Sequence, residues 1–443
     1  MSSWKSSRRS FVAGIAGSFL VRSLCGDEPP VVRDPRSTSG DSRVEPNWAE
    51  RLTIRVGPKD ADLNGTTDRV LQAAVDYVAR LGGGTVHVAG GEYLLRNAVW
   101  LRNGVRIIGE GEDTHLIKSQ SIETKLADDS DWYDQEITLA DPKGFNVGDG
   151  ICLRSKDPHN GGIDVCKRTL VARDGARFKL DRPLRENFWL RGDTTISTLF
   201  PMITGEEISK FAIENLRLDG NGKKNANLDG NYAGCIFLQD CADGYIQGVL
   251  AHDYNGDGIS WQICHDMVVE KCRSHDHVGL GLHPGSGSQR PIMRDNELRN
   301  NDIGLFFCWG VRHGLAERNR MIANRVGVSI GHRDVENLVV DNIIQASRDH
   351  GLHFRDESSR SFSPHRNRFV RNKWIDNGKA EDAVAIQVQG ETEEVVLERN
   401  LVSDGRGPAS RTAIRVGAKT KGIQLVDNEI SGFKTQIDDQ RKV

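Results

Sequence analysis

The sequence predicts an all-β chain wound as a solenoid of stacked parallel strands, with an N-terminal capping helix and an inserted β-rich subdomain. Three observations carry this. From Gly234 to about Val426 one phrase recurs: a glycine, an alternating apolar run, a variable loop and a second apolar run. Its glycines, Gly234, Gly258, Gly279, Gly304, Gly327 and Gly351, are spaced by 24, 21, 25, 23 and 24 residues. A second mark recurs alongside it, at Cys272, Asn296, Asn319, Asn342, Asn372, Asn400 and Asn428. The third is composition: 47 glycines with only 37% hydrophobic and 6% aromatic residues suit short strands and tight turns rather than a large helical core. A fixed period of this length means one supersecondary unit per repeat, whose apolar face is buried only against its neighbours.

Residues 1–25 read as an export segment. Ser7-Arg8-Arg9-Ser10-Phe11-Val12 has the twin-arginine pattern, and the apolar stretch 12–21 that follows is too short to span a bilayer. Residues 26–50, with Pro29, Pro30, Pro35 and Pro46, read as a linker. Residues 51–119 are then expected to form the cap and first coils. Thr66-Thr67-Asp68 precedes a helix over 69–81 with Val70, Leu71, Ala74, Val75 and Val78 on one stripe, and Gly82-Gly83-Gly84 stops it. Strands follow at 85–88, 93–95, 98–101 and 105–108. Residues 120–200 break the rhythm, with strands at 136–139, 150–154, 169–173 and 178–180 of an inserted subdomain. The coils occupy 201–443.

Alternation within the coils assigns inward positions to Ile259, Trp261, Ile263, Leu280, Leu282, Val328, Ile330, Leu352, Phe354, Ile386 and Val388. The asparagines are expected to bond backbone groups at the turns, coil upon coil. Cys241 and Cys264, one repeat apart, are expected to stack as small buried residues, whereas Cys152 and Cys166 either bridge a loop or stay reduced. None of the eight cysteines forms a CxxC pair, which removes the usual thiolate zinc site.

Two parts of the chain resemble the pectate-lyase-like superfamily of right-handed parallel β-helices. One is the module Asn64-Gly65-Thr66-Thr67-Asp68, Ala73-Ala74-Val75, Gly82-Gly83-Gly84-Thr85-Val86-His87-Val88 and Gly91-Glu92-Tyr93, in which Ala89 stands where that family usually has proline. The other is the Gly…Asn coil repeat. The resemblance implies the fold and, loosely, carbohydrate-active chemistry. The WxDH and RxPxxR motifs of pectate lyases are absent, as is the paired-aspartate and Gly-His-Gly pattern of β-helix pectinases, of which Gly331-His332-Arg333 keeps only a part. No catalytic residue carries over from a named family.

The outward residues after each glycine would form a wall under a chain-like substrate: Ser260 and Gln262, His283, Phe306 and Cys308, Ser329, His353 and Arg355, then Gln387. The turns beyond add Trp309, Arg312, His313, His332, Arg333 and Asp356. Residues 282–373 hold 15 Lys+Arg against 10 Asp+Glu and six of the 13 histidines, in a chain of net charge −3. A local positive patch points to an anionic partner. A polysaccharide lyase must neutralise a carboxylate, remove a proton and protonate a leaving oxygen. His353, Arg355, His332 and His283 are the candidate catalytic residues, and Arg333, Arg312, His313, Trp309, Asp356 and Gln262 the candidate substrate contacts. Glycoside hydrolysis needs two carboxylates about 5–9.5 Å apart, and the outward strand positions show none.

The expectation is an exported enzyme, periplasmic or extracellular, cleaving a uronate-containing polysaccharide by β-elimination. Its alternatives are a glycoside hydrolase, a C5-epimerase and a non-catalytic binding scaffold. Calcium is a possible cofactor, with Asp253, Asp257 and Asp276 the nearest oxygen donors. Nucleic acid is not an expected partner, since the patch is small and the chain acidic overall. Nor is a membrane once the signal is removed, and a monomer is expected.

Overall fold

The computed structural model describes residues 46–441 apart from 158, 358 and 408. The expected export segment, most of the expected linker and Cys25 therefore lie outside the described residues. No described helix is long and apolar enough to cross a membrane.

Each coil contributes one strand to each of three parallel sheets, of 13, 11 and 11 strands. One coil runs from Ala242–Gln247 in the first sheet to Leu250–His252 in the second and Asp257–Gln262 in the third. Two apolar runs per repeat were expected; the structure has three strands. The additional one is only three residues long, as in Arg273–His275, Glu297–Arg299 and Arg320–Ile322, and points a single side chain inward, so it carries no alternation to detect.

The register also shifts the glycine beat. Ile236, Ile259, Leu282, Leu305, Val328, Leu352, Ile386 and Ile414 form one buried row. The aligned glycines are therefore Gly258, Gly281, Gly304, Gly327 and Gly351, and Gly234 and Gly279 stand one residue and two residues ahead of the row. These glycines leave no room for a side chain: a Cβ at Gly258 would collide with the Ser274 hydroxyl, and one at Gly304 would lie 2.8 Å from the Asn324 amide. Two inward assignments fail. Ile263 is 45% exposed in the left-handed region (φ 53°), because the chain turns a corner there, and Leu280 is half-buried and faces the groove described below.

The corners explain the asparagines. The residue before each one (Lys271 before Cys272, then Asp295, Arg318, Asp341, Arg371, Arg399 and Asp427) has φ between 50° and 57°. A non-glycine residue in that region costs about 1–3 kcal/mol. The next side chain offsets it. Asn319 Oδ1 accepts the backbone N–H of Asn296 (3.0 Å) and its side-chain amide (2.9 Å), while Asn319 Nδ2 donates to the Met293 carbonyl. The same exchange repeats through Asn342, Asn372, Asn400 and Asn428. A second ladder, Asn301 to Asn324 and Ser347 to Asn377, closes the corner between the second and third sheets.

The helix Asp68–Arg80 covers the first coils with Leu71, Ala74, Val75 and Val78, but its expected cap differs. Thr67 makes no side-chain capping bond, and the Asp68 carboxylate instead accepts the Arg96 N–H at 2.9 Å. Between coils, strands from Glu123–Lys125 to Thr195–Ser197 form a six-stranded antiparallel sheet with its own small core. Leu153 pairs with Cys166, so Cys152 and Cys166 face opposite sides of that sheet and cannot bridge. All seven described cysteines are free and buried, and the Cys241 N–H meets Cys264 Sγ at 3.4 Å in the next coil.

Removing one rung of the ladder should be costly at its centre and cheap at its end. Asn342→Ala leaves several buried groups unpaired, each worth about 1–3 kcal/mol. Urea denaturation should show a loss of about 2–4 kcal/mol for it and about 1 kcal/mol for the part-buried Asn428→Ala.

Candidate functional site

The third sheet's outward row Ser260, His283, Phe306, Ser329 and His353 is the floor of a groove rather than an open wall. Ser260 is fully buried, and His283 and Ser329 are each 2% exposed. The cover is the connection 220–233, longer than its counterpart 253–256 in the next coil. Its Gly230 carbonyl accepts the Ser260 hydroxyl at 2.8 Å, and a Cβ on Gly230 would collide with the Asp257 carboxylate. The groove has a volume of about 620 Å³ and is lined by Asp229, Gly230, Asp257, Leu280, His283, Asp302, Phe306, Cys308 and Trp309, among others.

At its base lies a buried Asp–His pair. His283 Nδ1 and Asp257 Oδ2 are 2.7 Å apart, and the Ser260 hydroxyl is 3.3 Å from the same nitrogen. Asp257 Oδ1 accepts the Leu280 N–H. The carboxylate thus holds the Nδ1–H tautomer, and His283 Nε2, which has no hydrogen-bond partner, keeps its lone pair. Asp257, read in the sequence as a calcium-donor candidate, is the first residue of strand Asp257–Gln262 and places a carboxylate beside the outward row.

Arg355 reaches back two coils. Its guanidinium lies 4.5 Å from the centre of the Phe306 ring, whose edge contacts His283 at a centroid distance of 5.2 Å. It donates to Ser329 Oγ, the Phe307 carbonyl and Asp334 Oδ2. Asp334 is fully buried and also accepts the N–H groups of Gly310, Val311 and Gly331. His332 Nδ1 is 2.8 Å from Glu357 Oε1 and 3.1 Å from Arg355 Nε. One nitrogen cannot donate to the first and accept from the second together, so protonation at this ring is tied to the neighbour it serves. Burial first, then Arg355, holds its pKa below the usual imidazole value.

An aromatic platform continues from this cluster. Trp309, 56% exposed, stacks on His332 at 4.9 Å and 13° and meets Phe362 edge-on, and Arg333 lies 4.2 Å over Phe362. Trp309 and His332 both have positive φ, 61° and 43°, so the platform is built on strained corners. Beyond it, Arg312, Arg333, Arg360, Arg366 and His365 line a basic cleft of about 460 Å³. Arg360 and Arg366 are paired with Glu393 and Glu336.

The candidate residues therefore divide. His283 stands with Asp257. Arg355, His332 and Trp309 form a second cluster, completed by Asp334 and Glu357. Arg312 and Arg333 belong to the basic cleft, beside which His313 pairs with Glu336 at 3.4 Å. Asp356 is exposed at the rim. His353, last in the floor row, stacks on His350 at 4.9 Å and has the Gln389 amide nitrogen 3.3 Å from its Nε2. Gln262 is 5% exposed with its amide packed against Gly285, so it presents nothing to a ligand. The three candidate calcium aspartates are each bound to a histidine: Asp253 to His252, Asp257 to His283 and Asp276 to His275.

A family model described as a right-handed β-helix region matches residues 214–369. The chain is a right-handed parallel β-helix protein. Among solved structures it is similar to the A-module of the mannuronan C-5 epimerase AlgE4 of Azotobacter vinelandii, at 17% identity over 88% of this chain and 100% of that one, with a TM-score of 0.47. It is also similar to the Dettilon tailspike protein gp208 (11% identity, 84% and 68% covered, TM-score 0.50). A third is PfbA, a surface adhesin of Streptococcus pneumoniae (12%, 85% and 87%, 0.48). At these identities the likeness is one of fold. No curated protein matches the sequence.

Burial, with His350 and Arg355 adding to it, pushes the His353 pKa down to about 4 from 6.5. Between these values the unfolded chain binds a proton that the folded chain does not, so stability is complete above pH 6.5 and is lost as pH falls toward 4. His353→Gln should remove about 2–3 kcal/mol of that acid-induced loss. Urea titrations at pH 7 and pH 4.5 measure it.

Proposed function

We propose that this protein acts on a uronate-containing polysaccharide, with His283 as the proton-abstracting base. The observation that carries the reading is the Asp257–His283 pair at the base of the groove, with Nε2 buried and without a hydrogen-bond partner. The carboxylate fixes the tautomer and stabilises the imidazolium that proton abstraction creates. A sugar ring on Trp309 would extend along Phe362 toward Arg333 and Arg312, whose charges match a uronate carboxylate.

The reaction that suits this arrangement is removal of the proton α to a uronate carboxylate. In β-elimination the C5–H and C4–O bonds break, a C4=C5 double bond forms and the leaving oxygen takes a proton. The imidazolium of His283 and the ring of His332 are the proton groups near the groove. Return of the proton to the opposite face of C5 without cleavage would be epimerisation. Hydrolysis fits less well. Of the lining carboxylates, Asp257 is engaged by His283 and both oxygens of Asp302 are taken by Arg325, which leaves Asp229.

The proposal includes export through the Arg8-Arg9 segment, a monomeric state and no nucleic-acid partner. With its described cysteines free and buried, the fold does not depend on an oxidising compartment.

Incubation with alginate, pectate and glycosaminoglycans should generate the ultraviolet absorbance of unsaturated uronate ends on one of them. His283→Gln should lower kcat by about 10²–10⁴-fold, the usual worth of a general base, and Trp309→Ala should raise KM with a smaller effect on kcat. Inversion at C5 seen by NMR, without absorbance, would make the same base an epimerase. New reducing ends without unsaturation would contradict the reading.

A further inference from the structure

The second sheet carries a separate cluster on the outside of the early coils. His115, Asp219 and His252 lie on its neighbouring strands Thr114–Lys118, Arg217–Asp219 and Leu250–His252, where Arg217 pairs with His115 and Asp219 with His252. Leu116, Leu218 and Ala251 between them are buried, so period two turns all three donors outward on one face. One donor atom from each lies within 4.8 Å of the others, and His115 Nε2 is 3.6 Å from Asp219 Oδ2. Among the described residues no other group of His, Cys, Asp and Glu converges in this way.

Each donor is prepared from behind. His252 is 6% exposed, and its Nδ1 meets Asp253 Oδ2 at 2.7 Å, which places the lone pair on Nε2. His115 has Glu92 Oε1 at 3.8 Å from Nδ1, while its Nε2 is buried without a hydrogen-bond partner. Asp219 Oδ1 accepts the Asn221 N–H, so Oδ2 remains free. A histidine held by a carboxylate at one nitrogen and presenting the other is the usual outer support of a metal ligand. Arg217 is the one competitor: its Nε donates to His252 Nε2 at 3.1 Å. The side chain is half-buried, and a cation taking that lone pair has to displace it.

We propose that His115 Nε2, Asp219 Oδ2 and His252 Nε2 form a binding site for a divalent transition metal, with zinc its best match. Two imidazoles and one carboxylate suit zinc at about 2.0–2.2 Å per ligand, with the fourth position left to water. The site lies on the second sheet, whereas the proposed polysaccharide groove lies on the third, so either can fail without the other. It ties three successive coils together close to the N-terminal cap.

The test is calorimetric titration of the chelator-treated, tag-free full chain with zinc chloride, with the bound metal counted after gel filtration. The expected result is one zinc per chain, a raised Tm on loading, and affinity lowered by about tenfold or more in His115→Gln and His252→Gln. Arg217→Ala should bind zinc more tightly than the native protein, an effect that a merely structural role for the histidines does not produce. The metal-free Tm of each variant verifies folding. Absence of stoichiometric zinc in the native chain, or equal zinc binding by His115→Gln, would overturn the proposal.

Discussion

Coil-on-coil hydrogen bonding is the constraint on which everything else in this molecule rests. Parallel strands about 4.8 Å apart force each residue to lie over its equivalent one repeat earlier, so any side chain set at one corner is repeated along the axis. This makes strained corners sustainable. A single left-handed aspartate or arginine would be a liability; a column of them, each followed by an asparagine bonded to the next, becomes a shared hydrogen-bond chain in a dry interior. The glycine row answers the same constraint, because the second ladder occupies the space a Cβ would need.

The site uses the places where that regularity is broken. The connection 220–233 folds over the third sheet and converts an exposed row into a covered floor, leaving Asp257 and His283 each 2% exposed. At the later corners stand Trp309 and His332, both in the left-handed region and stacked on each other. Arg355 then crosses two coils to lie over Phe306, its charge matched by the buried Asp334. The column supplies position, and the departures from it build the candidate site.

What could be read beforehand follows from this division. The coil repeat, the asparagine corners and the buried rows were legible because repetition multiplies a weak signal: Leu282, Val328, Leu352 and Ile386 each stand in the predicted column. The second-sheet strands were not, since three residues with one inward side chain have no periodicity. His283 was legible as an outward histidine, but its partner Asp257 was not, because pairing across coils depends on a register that the irregular Gly279 obscured. The reach of Arg355 and the burial of Gln262 are properties of packing, invisible to spacing. The length of the 220–233 connection was the one available signal for the groove's cover.

The central claim is that a polysaccharide lies in the third-sheet groove with His283 Nε2 facing its reacting carbon. A crystal structure with a bound uronate oligosaccharide tests it most directly. The account predicts one sugar ring stacked on Trp309 and the next with its C5 hydrogen directed at Nε2, the carboxylates running toward Arg333 and Arg312. An oligosaccharide lying on the first or second sheet, or one in the groove with Nε2 turned away from every sugar, would contradict it.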